Sequence, residues 1–332
     1  MLGRWIRVAA ILLVTTATTG FAQAEPTGEL VHFGMCDASA AVAVGAEFFL
    51  VANDEDNALR LYRRDRGGQP LGRYELSSFL RTERDHPEAD IEGAARLGDV
   101  VYWITSHGRN KDGKSRPNRY RLFATRVQTG GNTTTVVGVG LPYTRLLADL
   151  LAADNLAPFD LAKASRRAPK DKDALNIEGL AATPDGRLLI GFRNPIRRGR
   201  ALIVPLNNPR DVIRGAMAQI GEPLELELDG LGVRSLEYDA ARGDYLFVAG
   251  PYDGEDACRM FRWSGGADSR PEELRRVQFG DWTPEAIVLY ADRANQVQIL
   301  SDDGTRQVEG DDCKALASEQ SRRFRSGWVQ VD

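Results

Sequence analysis

NIEGLAATPDGRLLIGFRNP, residues 176–195, reads as two short strands around a turn. Asn176–Leu180 opens one strand, Pro184-Asp185-Gly186 supplies turn-forming residues, and Arg187–Phe192 is a strongly apolar second run. The same pattern recurs along the chain. Asp90–Ala94 leads through Leu97-Gly98 to Val100–Thr105, and Asp37–Ala41 leads through Val44-Gly45 to Phe48–Ala52. Val233–Leu236 leads through Ala241-Arg242-Gly243 to Tyr245–Ala249, and Thr283–Ile287 leads to Gln296–Ser301. A third strand is expected in every unit, at Leu59–Arg63, Arg121–Val127, Ala201–Leu206, Arg259–Trp263 and Gly327–Val331. A fourth follows in four units, at Gly72–Leu76, Thr133–Val139, Pro223–Leu228 and Leu274–Phe279.

Units that begin at residues 37, 90, 176, 233 and 283, with four strands each, predict an all-β, five-bladed β-propeller. The long interval between the second and third units holds one blade plus an insertion, Leu141–Ala174. Within it Thr144–Ala152 carries leucines at helical spacing. An irregular sixth blade inside this insertion is the alternative. The last unit runs out of chain before its fourth strand, and Glu29–Gly34 has the right length to supply it. That pairing would close the ring and remove open sheet edges.

The 332 residues are 42% hydrophobic and 27% charged, an ordinary globular balance that excludes a disordered, collagenous or coiled-coil chain. Arg4 and Arg7, the apolar run Val8–Val14 and Ala22-Gln23-Ala24 make a signal peptide over 1–24. The rest is expected to be one propeller domain over 25–332, periplasmic or secreted after cleavage near Ala24. The apolar run is too short to span a membrane. A net charge of −4 argues against a nucleic-acid partner. Export permits disulfides. Of the three cysteines, Cys258 and Cys313 sit late in neighbouring blades and are expected to pair, with Cys36 apart; three buried thiols are the alternative.

In a propeller the first strands line the central axis, so equivalent repeat positions form a ring at one mouth. The first such position holds Asp37, Asp90, Asn176, Val233 and Thr283; two residues on are Ser39, Glu92, Glu178, Ser235 and Glu285. Two glutamates about 6 Å apart at an effective dielectric of about 20 repel by about 3 kcal/mol, so a cation, raised pKa values or nearby arginines must offset the charge. Glu92, Glu178 and Glu285 are therefore candidate ligands for a divalent cation such as calcium. The ends of the second strands add His107 opposite Asp90, and Arg193 beside Glu178. The basic loops of blades two and three, with Arg109 and Lys111, suggest a small anionic ligand. These side chains give candidate catalytic residues (His107, Glu178, Arg193) and candidate binding residues (Asp90, Glu92, Arg109, Lys111, Asn176).

GMCDASA at 34–40, VANDEDN at 51–57, DIEGAA at 90–95, WITSHGRNKDGK at 103–114, NIEGLAATPDGRLLIGFRNP at 176–195 and the closing FRSGWVQVD resemble an exported bacterial family known as a domain of unknown function. The resemblance covers nearly all of the chain after residue 24 and implies the propeller fold and export. The "IEG" inner strands are also similar, over short stretches, to those of the esterase-like phytase propellers, which implies ester or phosphoester hydrolysis. The expectation is a hydrolase of a small anionic ester at the channel mouth; the alternative is a propeller that binds a ligand or protein without chemistry.

Overall fold

The structure is a computed structural model that describes residues 25–130, 133–254 and 257–332. The expected signal peptide lies outside the described residues. Among the described residues no helix is long and apolar enough to cross a membrane.

Among the described residues the first strand is β1 (Thr27–Phe33), and the strands form five four-stranded antiparallel sheets, β1 joining the last of them. Blade one is β2 (Ala40–Val44), β3 (Phe48–Ala52), β4 (Ala58–Arg63) and β5 (Gly72–Glu75). Blade two is β6 (Ile91–Leu97), β7 (Val100–Thr105), β8 (Leu122–Gly130) and β9 (Thr133–Tyr143). Blade three is β10 (Asn176–Ala182), β11 (Leu188–Asn194), β12 (Arg200–Leu206) and β13 (Leu224–Glu227). Blade four is β14 (Gly232–Asp239), β15 (Asp244–Gly250), β16 (Arg259–Trp263) and β17 (Glu272–Glu273). Blade five is β18 (Pro284–Val288) and β19 (Gln296–Ser301), then, after a small hairpin of β20 (Gln307–Val308) and β21 (Asp311–Asp312), β22 (Arg323–Gln330). The inner strands β2, β6, β10, β14 and β18 contact one another in sequence, and β18 returns to β2, so the sheets form a closed ring of five.

As expected, β1 supplies the fourth strand of the last blade, with Leu30 opposite Ser326 and Phe33 opposite Arg323. The closure is filled by rings. His32 is fully buried and stacks on Phe324 at 4.9 Å, with Phe49 and Tyr62 each 5.2 Å away on its other sides. Its Nε2 faces Ser326 Oγ at 2.8 Å.

Two expectations need correction, the fourth strand of blade four and the disulfide. The fourth strand of blade four is the two-residue β17, because Leu274–Phe279 folds into turns that bury Val277 and Phe279 in the core. The insertion after β9 is helical as expected, with short helices at Leu146–Ala152 and Leu161–Ala164 and a 3-10 segment between them, and it holds no sixth blade. The disulfide joins Cys36 to Cys313, and Cys258 lies outside it. Ring closure is the reason: blade five, the last in the sequence, is the neighbour of blade one. The segment between β19 and β22 folds back over the start of blade one, where Cys36, Val308 and Cys313 form a small buried cluster.

Small residues let the inner strands crowd the axis. A Cβ on Gly179 would stand 2.7 Å from Val233 Cγ1, and one on Gly93 would stand 3.0 Å from Leu180 Cβ. Within the ring the axis narrows to a cavity of about 10 Å³ lined by Ser39, Ala40, Gly93, Ala94, Ser235 and Ile287 among others, at the lower limit for one water. The propeller is a plugged ring, and its mouth is a cleft with a floor.

Candidate functional site

The floor of that cleft is built by a repeated irregularity. In β6, β10, β14 and β18 the pairing with the next strand slips by one residue near the start of the strand. The extra residues are Glu92, Glu178, Arg234 and Glu285. A bulge leaves its extra residue unpaired and re-aims the side chain, and here four ionic side chains are brought to the axis. Blade one places Ser39 at this position, its hydroxyl donating to Ile91 O at 2.6 Å.

Arg234 is the residue that sequence reading missed. Placing Ser235 in the ring set blade four one residue out of register. Matching Val233-Arg234-Ser235-Leu236 to Ile177-Glu178-Gly179-Leu180 would have found it, since the apolar residues then coincide at both ends.

The expected repulsion is met by arginines. Glu178 Oε1 accepts from Asn176 Nδ2 at 2.8 Å and from Arg193 Nη1 at 2.7 Å. Arg193 also donates from Nε to Pro251 O at 3.0 Å. Arg234 lies between two carboxylates, pairing with Glu285 through Nη2 and facing Glu178 Oε2 from Nε at 3.6 Å. All four side chains are nearly buried. Gly232 and Gly250 make room for them: a Cβ at Gly232 would overlap the Arg193 carbonyl, and one at Gly250 would stand 2.6 Å from Arg234 Cδ.

With Glu178 and Glu285 held by arginines, the expected trio of Glu92, Glu178 and Glu285 is not one cluster of available oxygens. Glu92 instead gathers with Asp54 and Asp90, whose carboxylate oxygens lie within 4.8 Å of one another and of its own. A second group, Asp37, Asp54 and Glu55, shares Asp54. Asp54 Oδ1 is buried without a hydrogen-bond partner. Burial, followed by repulsion from Asp37, Asp302 and Asp90, holds the Asp54 carboxyl well above the usual carboxylate range. Burial, then Asp90 and Glu178, does the same to Glu92. Asp37 is pushed up to about 9 by burial and by Asp302. Asp90 has a cationic neighbour: Arg119 Nη1 donates to its Oδ2 at 2.8 Å and pairs through Nη2 with Glu88.

The cleft above has a volume of about 1250 Å³ and is two-sided. Asp37, Asp54, Glu55 and Asp302 line the blade-one side, while Lys111, Arg116 and, from the insertion, Lys170 line the other, interleaved with Asp112 and Asp171. The disulfide-anchored segment contributes Lys314; its burial opposes a charge there, but Asp37, Glu55, Asp302 and Asp54 outweigh this and raise its pKa. Two predicted residues fall outside the cleft. Arg109 donates to Ser165 O and Gly113 O, tying its loop to the insertion. His107 is buried, with Nδ1 donating to Thr105 O at 2.8 Å and Nε2 enclosed without a partner. Burial depresses its pKa to about 4, so it is a neutral ring at pH 7 walled off from the opening.

These shifts set a pH dependence. Asp37, Asp54 and Glu92 hold protons in the folded chain that the unfolded chain releases above about pH 4. Their contribution to stability is complete below the unfolded pKa and is lost as pH rises through the folded values. The buried His32 and His107 act oppositely, but only below about pH 6.5. Between pH 6.5 and 9 the carboxylates act alone. The melting temperature is expected to fall across that range, which a series of thermal melts from pH 6.5 to pH 9 would read.

Fold and site together define a five-bladed propeller with a polar, carboxylate-rich cleft at one mouth. The chain belongs to the DUF3616 family, described as proteins of unknown function, whose sequence model matches residues 37–137 and 141–307. A search of curated proteins finds no match. Solved structures similar to it include glutaminyl cyclase of Myxococcus xanthus (11% identity, 93% of this chain and 97% of that one, TM-score 0.46). The putative oxidoreductase (glucose dehydrogenase) of Thermus thermophilus is similar at 15% identity over 91% of this chain and 100% of that one, TM-score 0.46. The PQQ-bound aldose sugar dehydrogenase of Streptomyces coelicolor is similar at 12% identity over 92% and 100%, TM-score 0.44.

Proposed function

We propose that the chain is an exported hydrolase of a small anionic ester, with a divalent cation such as calcium held by Asp54, Asp90 and Glu92. The observation that carries this is the buried, unpartnered Asp54 Oδ1 in a group of carboxylates, with Asp90 and Glu92 on one side and Asp37 and Glu55 on the other. A cation there would polarise the ester and make water a better nucleophile. Lys111, Arg116 and Lys170 stand across the cleft, where they would take the substrate's negative charge. Asp37, protonated at pH 7, is positioned as a proton donor to a leaving group at the blade-one side. Glu178 and Arg193 serve as a fixed ion pair under the substrate, and His107 takes no part. A second reading, a binding site without turnover, is favoured by the arginines' hold on Glu178 and Glu285, which leaves neither free as a base.

Calorimetric titration with calcium, magnesium and manganese, followed by a panel of phosphate, carboxylate and lactone esters, separates these. Cation binding should weaken at least tenfold in Asp54→Asn and in Glu92→Gln, with proton release on binding at pH 7, and turnover should vanish in EDTA. Binding untouched by either substitution removes the cation site; cation binding with no ester turned over leaves the binding reading.

A further inference from the structure

A second cavity lies between blades two and three, at the end of β6 and β7 opposite the cleft. It measures about 370 Å³, within the range of small-molecule sites, about 300–1,000 Å³. Leu97, Val100, Val139 and Ile213 give it apolar walls. Its charged lining is three arginines, Arg126, Arg210 and Arg214, and one carboxylate, Asp99. Arg126 is committed, its Nε donating to Asp99 at 2.6 Å. Arg214 has only a loose contact with Asp211 at 4.0 Å, and among the described residues Arg210 has no ion pair or hydrogen bond.

Tyr102 is the second, independent observation. The residue is 1% exposed, its ring packed in the core between the blades, and it lines this cavity. Its hydroxyl makes no hydrogen bond to the protein. The hydroxyl keeps some exposure, on a residue that lines the cavity, so it is open to a partner that enters there. Burial raises its pKa, and Arg210 and Arg214 oppose that rise, which places the hydroxyl within their field.

We propose that this pocket binds a small organic acid, its carboxylate between Arg210, Arg214 and the Tyr102 hydroxyl, its apolar body against Leu97, Val139 and Ile213. The apolar walls exclude a bare inorganic anion as the preferred occupant, and the uncommitted guanidinium exclude a neutral one. Arginine suits a planar carboxylate because its donors match the two oxygens.

The test is calorimetric titration of the intact protein with 3-phenylpropionate and octanoate, with 3-phenylpropanol as the uncharged comparator and acetate as the acid without a body. At least one of the longer acids should bind, and at least tenfold more tightly than the alcohol and acetate. Arg210→Ala/Arg214→Ala should weaken that binding about tenfold or more, the loss of a charge-assisted hydrogen bond. Both arginines are exposed, so the melting temperature should not move. Tyr102→Phe should weaken it by a smaller factor, and Glu92→Gln should leave it unchanged, which separates this site from the cleft. The proposal is overturned if neither longer acid binds, if the alcohol or acetate binds equally well, or if the double substitution leaves affinity intact.

Discussion

Replacing Arg234 by methionine is expected to destabilise the protein by about 3–5 kcal/mol, the usual cost of removing one partner from a buried ionic group. Arg234 is 4% exposed and faces both Glu178 and Glu285. Methionine has similar bulk, so packing loss is small and the cost is electrostatic. The two carboxylates left behind either repel or take up protons. Chemical denaturation should therefore show a lower midpoint at pH 8 and a smaller deficit at pH 5, where protonation relieves the charge. The double variant Arg234→Met/Glu285→Gln should recover a large part of the loss. An equal deficit at both pH values, with no recovery in the double variant, would mean that Arg234 acts through its packing alone.

The second large effect concerns closure. A chain that begins at Met35 lacks β1, so it loses the backbone pairing to β22 and the buried His32 at the centre of three aromatic contacts. Five paired positions at about 1 kcal/mol per hydrogen bond, together with the buried side chains, suggest a loss on the order of 5 kcal/mol. It also leaves β22 as an open edge. The truncated protein is expected to melt well below the full chain and to self-associate. Equal melting temperatures for the two would sink the idea that β1 locks the ring.

Most of the architecture was legible because each blade repeats the same physical solution. An inner strand, a Gly-containing turn and an apolar second strand mark the units regardless of identity. Closure by Glu29–Gly34 followed from counting strands. The misreadings have a common cause, which is that position in a ring is not position in a chain. Cys36 and Cys313 are far apart in sequence yet sit on adjoining blades. The ring residues of blade four were set one place off because Val233 was aligned by the start of its strand and not by its apolar neighbours. The pairing of Glu178 with Arg193 was visible from hairpin register. Strand counting puts Asp54 at this mouth, at the end of the second strand of blade one, but its gathering with Asp90 and Glu92 depends on a loop path that no periodicity describes. His107 was legible as a neighbour of Asp90, but its enclosure depends on the loop around Arg119 folding over it, where His107 N donates to Arg119 O at 3.1 Å.

The bond between Cys36 and Cys313 joins the two ends of the ring a few residues inside the β1–β22 pairing. Nearly the whole chain is thereby a covalent loop. A protease that cuts once in any exposed connection between these cysteines opens the loop without releasing a piece, because both new ends remain tethered through sulfur. Such a cut molecule would migrate as two fragments only after reduction. The site would be as tolerant of one cut as a circular chain is, and the same connectivity marks the blade-to-blade loops as places where new termini can be opened while the old ones stay joined.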